Sequence, residues 1–156
     1  MGDDRPILEG VLAWHRSTLL NICAGLTTDE LAQRPVPPSN LSLLGLVRHM
    51  AKVERTWFRE RAAGQTFPPM YDPQLGKDAD FEDIRAEQAP DAVDRLQEEW
   101  KLGDEAVAGL DFDHILPTRD AEMSLRMMYV HMISEYARHN GHGDILRETI
   151  DGVTGR

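Results

Sequence analysis

The run from Met128 to Glu148, MYVHMISEYARHNGHGDILRE, carries three of the chain's six histidines and a glutamate at helical spacing. On a helix turning about 100° per residue, with His131 set at zero, Glu135 falls near ~40°, His139 near ~80° and His142 near ~20°. All four share one face. At about 1.5 Å of rise per residue, His131 and His139 lie ~12 Å apart along the axis, whereas Glu135 and His139 lie only ~6 Å apart. Residues one turn apart are therefore the candidates to meet one ion, and imidazole with carboxylate suits a borderline divalent metal such as zinc or nickel. Two ligands from one helix leave such a site incomplete. A third has to come from elsewhere in the chain.

The 156 residues make about one ordinary domain, 1–156, long enough to bury one core. With 41% hydrophobic and 28% charged residues, the composition fits neither a disordered acidic tail nor a membrane protein. A formal net charge of -10 offers no general basic field, which argues against nucleic acid and anionic membranes as partners. The single cysteine, Cys23, rules out an internal disulfide and suits a reducing compartment. No stretch reaches the ~20 apolar residues that span a bilayer, and MGDDRP lacks the basic start of a secretory signal. A cytoplasmic location is the expectation.

Four long helices are predicted. The first runs from Ile7 to Leu26, with Leu8, Leu12, Leu19, Ile22, Cys23 and Leu26 on one stripe and Pro6 in its first turn. His15 falls on that stripe and reads as a core-edge histidine with a hydrogen-bond partner, a substrate contact being the alternative. Cys23 reads as a small buried hydrophobe rather than a nucleophile. Thr27 or Thr28 caps a short turn to Gln33, after which RPVPPSN forces an extended crossing. The second long helix starts at Ser42 and closes at Gly64. Leu43, Leu46, Val47, Met50, Val53, Trp57 and Phe58 form its apolar face, with Arg48, Lys52, Arg55, Arg59 and Arg61 on the other side. His49 is the exception, an imidazole among inward positions that has to be hydrogen-bonded or coordinated.

Gln65 to Ala89 is a long irregular connection with Phe67, Met70, Tyr71 and Phe81 as apolar anchors. Its Asp78, Asp80, Glu82 and Asp83 lack the calcium-loop order and are expected to form a solvated acidic loop. The third helix runs from Pro90 to Gly109, with Val93, Leu96, Trp100 and Val107 inward and Asp91, Asp94, Glu98, Glu99 and Glu105 outward. Leu110 to Arg119 is expected to bridge in extended form, with His114 on the surface. Ser124 caps the last helix, whose inward positions include Leu125, Met128, Met132, Tyr136 and Ile145. Gly141 and Gly143 either break that helix or mark the close approach of a neighbour or ligand.

These elements read as an all-α, up-down four-helix bundle with a long crossover between helices 2 and 3, in which facing helices build a metal site. His49 would then meet Glu135 and His139, and three ligands leave a position open for water or substrate. The spacing H-x3-E-x3-H is not the H-E-x-x-H of zinc proteases. LSLLGLVRHMAKVERTWFRE (41–60) and HMISEYARHNGHGDILRETIDG (131–152) resemble the second-helix and last-helix signatures of the DinB-like superfamily, in particular its actinobacterial branch. The resemblance implies a DinB/YfiT-like bundle, commonly dimeric, with metal ligands at His49, Glu135 and His139, similar to the set of mycothiol-dependent maleylpyruvate isomerase rather than the three histidines of bacillithiol transferases. His142 stands where many relatives carry glutamine, which leaves two alternatives open, Glu135 or His142 as the ligand.

The function this implies is a divalent-metal-dependent transferase moving a low-molecular-weight thiol, mycothiol or similar, to an electrophilic small molecule. His142 or His131 would orient ligands or carry a proton, Arg48 and Arg138 would contact an anionic group of the thiol, solvated arginines being the alternative, and Tyr71 would help cover the opening. The rival reading is a non-enzymatic metal-binding or stress-related interaction protein, and a third is a metal-dependent hydrolase that needs no thiol.

Overall fold

The computed structural model describes residues 3–117 and 122–155. It is mostly helical: α1 (Asp4–Cys23), the short α2 (Thr28–Ala32), α3 (Leu43–Glu54) continued as a π-helical segment (Arg55–Ala62), α4 (Ala89–Val107) and α5 (Leu125–Asp151), with one hairpin of β1 (Ile115–Pro117) and β2 (Glu122–Ser124). Local chemistry sets most boundaries. Thr27 and Glu30 form a capping box on α2, Ser42 Oγ accepts from Gly45 N at 2.9 Å on α3, and Ser124 Oγ accepts from Met127 N at 3.2 Å on α5. Gly25 at φ +80° follows α1, which ends a turn earlier than the stripe through Leu26 suggests.

Two features of the expected layout change. Asp4 pairs with Arg126 near the start of α1 and of α5, and Ile22 O accepts from Arg147 near both ends, so α1 and α5 run parallel. Glu54 meets Tyr136 while Leu43 meets Gly143, which sets α3 antiparallel to α5. Arg16 pairs with Asp104 and Arg5 reaches the Leu110 carbonyl, which sets α4 antiparallel to α1. The directions are up, down, down, up rather than alternating. Because α3 and α4 run parallel, the chain between them has to travel back along the helices, which is why the connection from residue 63 to 88 is long. The expected extended bridge also folds on itself, with Ile115 opposite Ser124 and Pro117 opposite Glu122. Its end at Arg119 lies outside the described residues.

One continuous core joins Leu12 and Leu19 of α1, Leu46 and Met50 of α3, Phe58 of its π-helical continuation, Leu96 of α4, and Leu125, Met132, Tyr136 and Leu146 of α5, all buried. Ile145, expected inward, is 59% exposed. The stripe on α5 instead advances through Gly143 to Leu146, and an added Cβ at Gly143 would lie 3.3 Å from Ile22 Cγ2. Helix α5 thus persists through both glycines, and close packing of α1 accounts for the second of them.

Candidate metal centre

His49 lies in the second turn of α3, and Glu135 and His139 lie one turn apart on α5. The antiparallel crossing brings them together: each offers one ligand atom, and these atoms lie within 4.8 Å of one another. The His49 and His139 rings meet at 4.6 Å between centroids and 63° between planes, and His139 Nε2 is 3.7 Å from Glu135 Oε2. Burial first, then the neighbouring His49 and His142, lower the His139 pKa to about 4, so its imidazole is neutral near neutral pH and keeps a lone pair. Two imidazoles and a carboxylate are a donor set that fits zinc or a similar ion. Bonds of ~2.1 Å at a tetrahedral ion place ligand atoms ~3.4 Å apart, so closing this set takes side-chain movements of about an ångström.

The crossover supplies what the sequence did not reveal. Asp80, expected in solvent, is 1% exposed, with Oδ2 at 2.5 Å from His49 Nδ1 and Oδ1 accepting from Lys52 Nζ at 2.9 Å. Burial alone would raise its carboxyl, but the hydrogen bonds from His49 and Lys52 outweigh it and bring the pKa down to about 2. Phe81 stacks on the His49 ring at 5.1 Å, in a place open only because residue 45 is glycine: a Cβ there would sit 2.9 Å from Phe81 Cδ1. Asp78 and Asp83 do face solvent. The one available signal for Asp80 was its position beside an apolar anchor, which drags an adjacent carboxylate inward.

Arg48 is placed differently from either sequence reading. It is neither solvated nor free for an anion: 7% exposed, it donates to the carbonyls of Ala79, Glu82 and Asp83, and its guanidinium lies 4.5 Å from the Tyr71 ring centre. Tyr71 in turn donates to the Arg48 carbonyl at 2.8 Å, so both side chains fasten the crossover to α3. Arg138 is 64% exposed and reaches Glu135 Oε1 at 3.4 Å. His142 Nδ1 stands 3.4 Å from His139 Nδ1. His131 packs on Trp57, with ring centres 4.5 Å apart, and two turns of α5 separate it from His139. His15 and Asn140 meet, Asn140 Nδ2 donating to the His15 carbonyl at 3.0 Å, and Cys23 is buried with its thiol pushed up to about 12 by desolvation.

Charges on the helices form a second set that periodicity missed. Glu54 is fully buried and accepts from Arg16 Nε and Nη2, both at 2.8 Å, and from Tyr136 Oη at 2.7 Å. Arg16 also holds Asp104, and Trp100 donates to Tyr136 Oη at 2.7 Å. Glu99, expected outward, is 3% exposed between Arg55 and Arg59. These pairs tie all four long helices together behind the site.

No curated protein and no solved structure matches the chain. A family model described as mycothiol S-transferase matches residues 7–152. With that match over nearly the whole length, the chain belongs to the mycothiol S-transferase family, within the DinB-like superfamily.

Proposed function

We propose that the protein is a divalent-metal-dependent transferase that joins mycothiol, or a thiol of the same kind, to an electrophilic small molecule. The observation that carries this reading is the convergence of His49, Glu135 and His139 from two helices, in a chain whose family is named for thiol transfer. These three residues would hold the ion, zinc being the best fit and nickel the next. When bound, it supplies a Lewis acid that keeps a thiol sulfur deprotonated near neutral pH, the form in which sulfur is a nucleophile. The sulfur forms its bond to an electrophilic carbon as the leaving group departs with its electron pair.

The chain's own groups orient and shield. His142, 3.4 Å from His139 Nδ1, restrains that ring, and Phe81 covers one face of His49. His131 has no such contact and takes no part, and Arg138, exposed beside Glu135, is the one of the two arginines placed to meet an anionic group of the thiol. We further propose that the four long helices form one bundle, a single domain in the cytoplasm, and that two copies pair. Ile7, Val11 and Trp14 recur at helical spacing on α1 and are 52%, 37% and 66% exposed, and Met127, Val130 and Ile145 are exposed on the parallel α5. Trp14, Ala137 and Gly141 line one groove between those helices, so the apolar residues share a face that a second copy would cover.

The test is conjugation. Purified protein, zinc, mycothiol and a haloalkane or similar electrophile should give thioether product that disappears on chelation and in His49→Ala. Absence of turnover across a panel of thiols, with folded and metal-loaded protein, would sink the transferase reading and leave a binding protein.

A further inference from the structure

The contact between His49 and Asp80 does more than fasten the crossover. Asp80 offers two oxygens: Oδ1 is occupied by Lys52 Nζ at 2.9 Å, and Oδ2 faces His49 Nδ1 at 2.5 Å. An ionised carboxylate only accepts, so the His49 ring has to carry a proton on Nδ1, and the tautomer with that single proton leaves the Nε2 lone pair uncommitted. Stacking on Phe81 fixes the plane of the same ring. Ligating histidines in metal sites commonly donate their second ring N–H to a carboxylate, which sets tautomer and orientation and raises the basicity of the ligating nitrogen.

We propose that Asp80 is the positioning residue of the metal centre: through Nδ1–H of His49 it holds that ring in the tautomer whose Nε2 binds the ion. The proposal rests on the reading of His49, Glu135 and His139 as ligands. Both atoms of the contact are inside the fold, since the Asp80 side chain is 2% and that of His49 20% exposed. Arg48 holds the carbonyls of Ala79, Glu82 and Asp83 on either side, so the carboxylate is placed by backbone contacts that do not involve the ring.

The amide Asp80→Asn has the same shape and one oxygen fewer. Lys52, which only donates, claims that oxygen, and the NH2 group then faces Nδ1 of His49 and forces the proton to Nε2, the nitrogen the ion needs. Removing the competitor in the Lys52→Met/Asp80→Asn double variant frees the oxygen to turn toward His49 and restores the Nδ1–H tautomer. Two measurements read this without any turnover: nitrogen chemical shifts of the His49 ring in metal-free protein, and zinc affinity by competition with a chelator.

The wild type and Lys52→Met should show Nδ1–H and bind zinc with similar affinity. Asp80→Asn should show Nε2–H and bind about 10–100-fold more weakly, the range typical of lost outer-shell partners, and the double variant should regain both. A merely structural role for Asp80 predicts no rescue by deleting its own ion-pair partner. Equal zinc affinity in Asp80→Asn and wild type overturns the assignment of Asp80 alone, as does a double variant that stays weak. A wild type that shows Nδ1–H and takes up no zinc overturns the metal reading, and this inference with it.

Discussion

His139 is a base that burial, helped by two neighbouring imidazoles, keeps from taking a proton, with its pKa lowered to about 4 from an ordinary 6.5. Between those values the unfolded chain binds a proton that the folded chain refuses, so stability of the metal-free protein rises with pH across that window and is lost as pH falls through it. At about 1.4 kcal/mol for each tenfold change in proton affinity, the difference corresponds to at most ~3.5 kcal/mol. Urea unfolding in chelator at pH 7 and pH 4.5 should show the loss, and His139→Gln should flatten the slope between them. The candidate pair on α5 was legible because helical spacing is printed in the sequence: Glu135 and His139 lie one turn apart whatever surrounds them. Asp80 was not, since a loop has no period and its one signal, a place beside the anchor Phe81, is shared by Glu82. Arg48 was misplaced for a related cause. Periodicity assigned it to the outer side of α3, and only the returning crossover, seen in three dimensions, covers that side with carbonyls for it to meet.

Each long helix was recognisable by its stripe, α3 and α5 also by their serine caps, and the glycines within helices show what such a reading leaves out. Gly103 and Gly141 look alike in sequence, each a helix-interior glycine costing up to ~1 kcal/mol relative to alanine. In space they differ. A Cβ at Gly103 would lie 3.0 Å from Phe58 Cβ across the α3–α4 contact, whereas one at Gly141 meets nothing within 4 Å. Gly141→Ala should therefore raise the unfolding free energy by ~0.5–1 kcal/mol, and Gly103→Ala should lower it by ~1–3 kcal/mol through overpacking. Chemical denaturation of the two variants side by side measures both signs. The buried ion pairs escaped the sequence for a different reason. Glu54 and Glu99 take their partners from other helices, so nothing local distinguishes them from solvated carboxylates. Arg16→Leu removes one partner and leaves the carboxylate of Glu54 buried, where desolvation already pushes its pKa upward. A loss of ~3–5 kcal/mol is expected from such an uncompensated charge, and a loss below 1 kcal/mol would show the pair to be incidental.

Over the whole molecule, hydrophobic stripes told how many helices share the core and which faces they bury, but a stripe reads the same in either direction along its axis. The parallel course of α3 and α4 is therefore visible only in contacts such as Arg16 with Asp104 and Tyr136 with Glu54, and the long crossover is its consequence. That course also decides what an ion would do for stability. His49 lies in the second turn of α3, Glu135 and His139 near the middle of α5, and Asp80 joins the crossover to the same point, so three segments distant in sequence meet there. An ion bound there holds only in the folded state, and at a free concentration ~1,000 times its dissociation constant it should stabilise by ~4 kcal/mol. For a chain of this size each kcal/mol moves the melting temperature by ~2–4 °C, so zinc should raise it by roughly 8–16 °C over chelated protein. Calorimetry of His49→Ala and His139→Ala should show the shift gone, while His131→Ala, whose ring rests on Trp57, should keep it in full. A shift that survives the loss of His49 would place the ion elsewhere in the fold.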